Sequence, residues 1–316
     1  MDIFKKFDVF ITKTFKTTIE IFLEALKLSP NAQGYVSGSI TELLLKKKLE
    51  DEGYEVKRIR EKWEGKKHPN HHGDFYFKSK NRWFVLESKG VKSNSEKWHK
   101  LYNFNNLKNF LYTHSDKIDW INSETEIEPQ VISWLKKELP NLNETSPDLY
   151  EYEEIQKYTA PKRETAKSIA IEALKNFSRE EIQNKIQERL NYVMSKVQVL
   201  ETHFVSGTSG LSERTQATPR KDEFNLISID IFLRYSEHKF LFANPKQLAS
   251  SGDDENHLQQ NYIMGFVFPQ KDGTLKLNLS GEWTDDFKDA FETLHVTDAV
   301  RESDMQIDNR NLLVEN

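Results

Sequence analysis

Cysteine is absent from the 316 residues. Disulfide staples, thiol nucleophiles and cysteine-ligated zinc are excluded with it, and the composition suits a reducing, cytoplasmic setting. Long apolar runs are missing too. The N-terminal stretch 2–28 is apolar in stripes but broken by Lys, Thr and Glu, so neither a signal peptide nor a membrane span is expected. There is no basic excess: 45 Lys and Arg face 50 Asp and Glu, for a net charge of −5. That balance does not advertise a nucleic-acid partner, although a local basic surface remains compatible with it. The chain has no phosphate-binding glycine loop, dinucleotide fingerprint, serine-hydrolase elbow or internal repeat.

What is present suffices for a core. Hydrophobic residues make up 37% and aromatics 12%, while charged residues at 30% supply a heavily solvated surface. The length allows one large domain or two ordinary ones.

The chain is organised around residues 73–89, GDFYFKSKNRWFVLESK. Residues 74–78 and 83–89 are rich in aromatic and β-branched types, with four polar residues, 79–82, as the loop of a hairpin. If Lys78 pairs with Trp83, Asp74 comes opposite Glu87, with Cβ atoms about 4.5–5.5 Å apart. Lys89 lies two residues on and points the same way. Two carboxylates so placed repel and raise each other's pKa unless a cation intervenes. A hard divalent ion is the usual answer, and Mg²⁺ takes one or two carboxylates plus phosphate oxygens. An adjacent lysine can hold a water or a developing charge. Such parts suit phosphodiester hydrolysis.

Asp74 followed by Glu87-Ser88-Lys89 resembles the D…(D/E)-x-K signature of the PD-(D/E)XK nuclease superfamily, over roughly residues 38–115. Gly73 stands where the motif's proline would be. The resemblance implies Asp74 and Glu87 as ligands of Mg²⁺, with the main-chain carbonyl of Leu86 or Ser88 beside them. It implies Lys89 as the residue that orients or helps deprotonate the attacking water. It also implies a glutamate on the preceding helix, and Glu42 matches that place. Glu42 equally suits the first turn of a helix over 39–52, where the macrodipole favours an acid.

Along the rest of the chain, residues 3–27 read as one or two amphipathic helices packed on the core, with a dimer contact or a membrane-surface helix as the other readings. SPNAQG (29–34) reads as a turn, Gly53 as a helix terminator and 54–60 as the first strand. The loop before Asp74 is polar and basic, and His72 is its best candidate for a substrate contact. After the hairpin, Lys92, Ser93, Asn94 and Lys97 could contact a DNA backbone or cap the helix over 96–113. Residues 116–122 read as a strand and 124–139 as a helix, with an acidic linker at 140–154. Two helices follow over 162–195, the second opened by a capping box from Ser178 to Glu181. Strand candidates are 197–205, 225–235, 239–243, 262–268 and 274–280, with a last helix at 283–295. The loop 206–223 carries Arg214, Arg220 and Lys221 and reads equally as a DNA-contacting loop or a plain excursion; 249–257 reads as an acidic loop.

The expected fold is α/β. A restriction-endonuclease-like αβββα core with a mixed sheet fills residues 1–150, and a helical, then mostly antiparallel β-rich section fills 151–316. The second section would serve target recognition or dimerisation, or would complete the nuclease sheet. The expected activity is Mg²⁺-dependent cleavage of double-stranded DNA by a restriction or phage-defence enzyme, with a homodimer as one arrangement and no membrane partner. A structure-specific repair or junction-resolving nuclease is the alternative within the class. A non-catalytic DNA-binding or scaffolding protein is the alternative outside it.

Overall fold

The computed structural model describes residues 2–60, 71–91, 101, 104–139, 178, 180, 181, 183, 184, 197–204, 218–235, 237–251, 254–270 and 272–309. The chain opens with α1 (Ile3–Phe15) and α2 (Ile19–Leu28), joined through Lys16 at φ 54. The expectation that this segment packs on the core is corrected. Neither helix contributes to the three main hydrophobic clusters; Ile11 is buried in α1, and no residue of α2 is.

The expected turn at 29–34 is also corrected, because α3 runs unbroken from Pro30 to Asp51. The Ser29 hydroxyl caps it by accepting from the Ala32 N–H at 3.2 Å. Pro30 then occupies the first turn, where an absent N–H costs nothing. Residues that mark a turn are also those that start a helix. Gly53, at φ 90, closes the helix as expected.

β1 (Glu55–Arg58), β2 (Phe75–Ser79) and β3 (Arg82–Gly90) form an antiparallel meander. The hairpin register is the expected one, with Lys78 opposite Trp83. Its loop is shorter than expected. Ser79 pairs with Arg82, leaving Lys80 (φ 47) and Asn81 (φ 60) as a two-residue turn with both residues left-handed.

α4 (Phe104–Thr113) and α5 (Ile127–Glu138) follow. Between them the expected strand at 116–122 does not form. Ile118 and Ile121 are buried three residues apart, a turn spacing, and each N–H bonds to the carbonyl three residues back. Of the helical region at 162–195, the described residues include the capping box. The Glu181 N–H donates to the Ser178 hydroxyl at 3.3 Å, and the Ser178 N–H donates to the Glu181 carboxylate at 2.7 Å.

The C-terminal half is β-rich. β4 (Gln198–Glu201), β9 (Ile263–Pro269) and β10 (Leu275–Leu279) make a three-stranded antiparallel sheet in the order β10-β9-β4. β5 (Leu226–Asp230) pairs parallel with β3, and β6 (Phe240–Ala243) antiparallel with β5. The result is a five-stranded mixed sheet, β1-β2-β3-β5-β6. Strands from before and after the expected boundary thus share one sheet, and the linker expected at 140–154 lies outside the described residues. The stretch read as an acidic loop contains a small ladder, β7 (Ser250–Ser251) with β8 (Asp254–Leu258). Two short helices, α6 (Phe232–Tyr235) and α7 (Phe287–Glu292), complete the set.

Four layers result. Leu45 and Leu49 of α3, with Phe287 of α7, cover Phe75, Phe77, Phe84 and Leu86 on one face of the large sheet. Tyr76, Val85, Ile227 and Ile229 on the other face meet Leu200, Met264 and Val267 of the small sheet. The outer face of the small sheet, through Val199, Ile263 and Phe266, packs on α4 and α5. The helix expected to complete the αβββα core therefore lies on the second sheet, not the first. Among the described residues no helix is long and apolar enough to cross a membrane.

Candidate active site

The β2/β3 ladder ends at the pair Phe75–Leu86. One step beyond it, Asp74 is held three ways. Its N–H donates to the Leu86 carbonyl at 3.0 Å, and its own carbonyl accepts from the Ile59 N–H at 2.9 Å. Its carboxylate oxygen Oδ2 accepts from the Ser88 N–H at 2.7 Å. The carboxylate thus replaces a backbone partner where the two strands separate. Gly73 explains how the chain gets there. A Cβ at that position would lie 2.5 Å from Val85 Cγ1 and 3.3 Å from the Leu86 carbonyl oxygen. The backbone passes too close over β3 for a side chain, and glycine is the residue that permits it.

On β3, alternation places Glu87 and Lys89 on the face of Val85, while Ser88 shares the face of Leu86 beneath α3. The Lys89 ammonium is ion-paired with Glu87. Glu87 retains 13% and Lys89 31% of side-chain exposure, so the pair is sheltered but reachable. Burial pushes the Asp74 carboxyl well above the ordinary carboxylate range, and Glu87 adds to the rise. Lys89 pulls the other way, Glu42 raises it further, and the Ser88 N–H lowers it. For Lys89, burial favours the neutral amine. The Glu87, Asp74 and Glu42 carboxylates outweigh burial and hold the ammonium charged.

Glu42 lies well inside α3, so the macrodipole reading, which needs the first turn, does not apply. Its Oε2 accepts from Arg58 Nη2 of β1 at 2.7 Å. Its neighbour Thr41 donates to Asp230 Oδ2 at 2.8 Å. Asp230 is buried at the end of β5 beside Gly90, and the same oxygen lies 2.6 Å from His238 Nδ1. Sequence reasoning missed Arg58, Thr41, Asp230 and His238. The signal for Asp230 was there: an acid inside the apolar run LISID.

The remaining candidates divide. His72 is exposed two residues before Asp74; its neighbour His71 is the packed one, with Nδ1 3.0 Å from the Tyr76 hydroxyl. Lys92, Ser93, Asn94, Lys97 and Arg214 lie outside the described residues. Arg220 and Lys221 precede β5, at the end of the sheet where β3 begins, and so are not brought to Asp74, Glu87 and Lys89. Arg220 forks onto Asp222, with Nε–Oδ1 and Nη2–Oδ2 both 2.9 Å, and Lys221 donates to the Leu248 carbonyl.

Near Lys221, Asp119 has both carboxyl oxygens sealed from solvent. Burial raises its pKa to about 7; Trp283 and Lys221 lower it and Glu282 raises it. Below pH 7 the folded chain therefore holds a proton that the unfolded chain loses near pH 4. Stability should fall by about 2 kcal/mol between pH 5 and pH 7, then level off. In urea titrations at those pH values, Asp119→Asn is expected to flatten this slope and to exceed the parent in stability at pH 8. An unchanged slope would assign the pH response elsewhere.

Among the described residues no three His, Asp or Glu side chains gather as a metal-holding group. The donor set still fits a hard ion that needs only one or two protein carboxylates, since Asp74 and Glu87 supply two oxygen donors. A divalent cation there would also relieve the repulsion that raises Asp74. Of the two expected main-chain carbonyls, that of Leu86 already accepts from Asp74. Compared with family models, with curated proteins and with solved structures, the chain shows no match, so its reading rests on the residues themselves.

Proposed function

We propose that this protein is a divalent-metal-dependent DNA endonuclease with a restriction-endonuclease-like core. The observation that carries the reading is the meeting of Asp74, Glu87 and Lys89 where β2 and β3 part. The order α3-β1-β2-β3 supports it, since the same arrangement belongs to the family that the D…E-x-K spacing resembles. Asp74 and Glu87 would hold Mg²⁺, with the Ser88 main-chain carbonyl beside them. The ion, when bound, supplies Lewis-acid polarisation of a phosphate and a more acidic water. Lys89 orients the attacking water and balances the charge that develops at phosphorus. Glu42, whose charge is felt at Asp74, helps to place the ion. In-line attack leaves a 5′-phosphate and a 3′-hydroxyl, as the resemblance implies. A restriction or phage-defence role follows from the same likeness.

The test is incubation of the purified protein with unmodified phage DNA and Mg²⁺, with a chelator control. Discrete, chelator-sensitive fragments bearing 5′-phosphates are expected. Cutting confined to branched substrates would make it a structure-specific nuclease. DNA binding without any Mg²⁺-dependent cutting would make it a non-catalytic binder.

A further inference from the structure

We infer that His238, oriented by Asp230, protonates the leaving 3′-oxygen in the cleavage proposed above; the inference rests on that reading and adds a residue to the same site. β3 and β5 pair in parallel, and ligands of sheets built on parallel strands bind outside the carboxyl ends of those strands. Asp230 ends β5 opposite Gly90, one residue past Lys89. From the spacing and rise of strands, the Cα atoms of Asp230 and Lys89 lie roughly 6 Å apart. Asp230 shares the face of Leu86, Ser88 and Gly90 beneath α3, where its carboxylate meets Thr41. Lys89 points to the other face. An in-line displacement needs such a division, because the attacking and leaving oxygens stand on opposite sides of phosphorus. With the scissile phosphate at the strand ends, Lys89 serves the attacking water and His238 the departing oxygen.

The Asp230 carboxylate is fully engaged. Its Oδ2 accepts from the Thr41 hydroxyl at 2.8 Å and lies 2.6 Å from His238 Nδ1, and its Oδ1 accepts from the Phe232 N–H at 3.0 Å. A carboxylate offers only lone pairs, so the proton sits on Nδ1 and proton exchange is left to Nε2. Nε2 has no partner among the described residues. The His238 side chain keeps 30% exposure, and its ring lies flat on Phe232 with centroids 4.6 Å apart. Capping α6 occupies Oδ1, and tying α3 to the sheet requires only Thr41; neither task calls for an imidazole. His71, His203 and His257 bond through Nδ1 to a hydroxyl, amide or carbonyl oxygen instead. A buried acid that fixes a half-open histidine is the arrangement of a proton-transferring pair. In the step, the water oxygen bonds to phosphorus as the P–O3′ bond breaks, and its electron pair goes to O3′. The Nε2 proton of the imidazolium passes to O3′, giving the 3′-hydroxyl. The proton shed by the attacking water leaves to solvent, and solvent recharges the imidazole.

The test compares two duplexes cut with Mg²⁺, one ordinary and one with sulfur in place of the leaving 3′-oxygen at the position the parent cuts. A thiolate departs without a proton. His238→Ala is expected to slow cleavage of the oxygen duplex about 10²–10⁴-fold, the usual worth of a general acid. On the sulfur duplex it should fall within a few-fold of the parent. Asp230→Asn, which presents the wrong hydrogen-bonding group to Nδ1, should show the same relief by sulfur if it folds; His238 alone decides if it does not. A His238→Ala enzyme that cuts the oxygen duplex as fast as the parent overturns the inference and leaves the nuclease reading standing. So does an equal loss on both duplexes, which would make His238 a positioning residue. A parent that cuts no ordinary DNA overturns the nuclease reading, and the inference with it.

Discussion

Lys89→Ala is expected to lower Mg²⁺-dependent DNA cleavage about 10²–10³-fold, the usual cost of losing one group that meets transition-state charge. DNA binding should persist, because a single ammonium contributes little to a long phosphate contact. The substitution has a second signature. In the parent, Lys89 neutralises Glu87 and lies within reach of Asp74. Without it, the two sheltered carboxylates lose the one cation that acts on Asp74 among the described residues, which destabilises the fold. Added Mg²⁺ should then raise the melting temperature of Lys89→Ala more than that of the parent. Lys89→Arg is not a conservative rescue, since a planar fork replaces a compact charge. Equal cutting by Lys89→Ala and the parent would remove Lys89 from the mechanism. A melting temperature indifferent to Mg²⁺ in both would remove the metal from Asp74 and Glu87.

Gly265→Ala is expected to cost more than about 4 kcal/mol, combining overpacking with backbone strain. Gly265 sits in the middle of β9 at φ 147, a conformation that L side chains rarely adopt. A Cβ there would lie 2.0 Å from the Asn278 carbonyl oxygen and 2.8 Å from the Leu279 Cα. Both are backbone atoms of the paired strand β10, and neither can swing away. The register also shifts here: Leu200 pairs with Gly265 but Glu201 with Ile263, so Met264 is the extra residue of a bulge. β9 is buried on both faces, and a displaced β9 would loosen both cores it joins. Urea midpoints of the parent and variant measure the effect. A loss below about 1 kcal/mol would mean that the bulge relaxes, contrary to this account.

The candidate site was legible where its signals are local. The hairpin register follows from two dense apolar strands, because a one-residue slip would turn the whole pattern to the wrong face. The capping box at Ser178 and Glu181 and the terminator Gly53 are single-turn devices readable from neighbouring residues. The beginning of α3 was misread because Ser29-Pro30 serves equally to turn a chain and to start a helix. The tight turn at Lys80-Asn81 was hidden because neither residue is the glycine that usually marks it. What no local pattern could show is the pairing of β3 with β5. Parallel partners are joined by long crossovers, and nothing in either strand names the other. Asp230 stood out as an acid in an apolar run, but its arrival with His238 beside Gly90 depends on that pairing and was hidden for the same reason.

The union of β3 and β5 has a consequence for how the chain is made. Leu86 meets Leu226, about 140 residues later, so loop closure must precede any reward from the contact. A ribosome that has released Glu87 and Lys89 has released a ribbon whose inner edge still lacks its neighbour. Helices α4 and α5 and the small sheet all emerge in between or afterwards. A nascent fragment thus carries Asp74, Glu87 and Lys89 without the strand that later flanks them. Under the proposed activity, cutting would have to wait until β5 has emerged and paired.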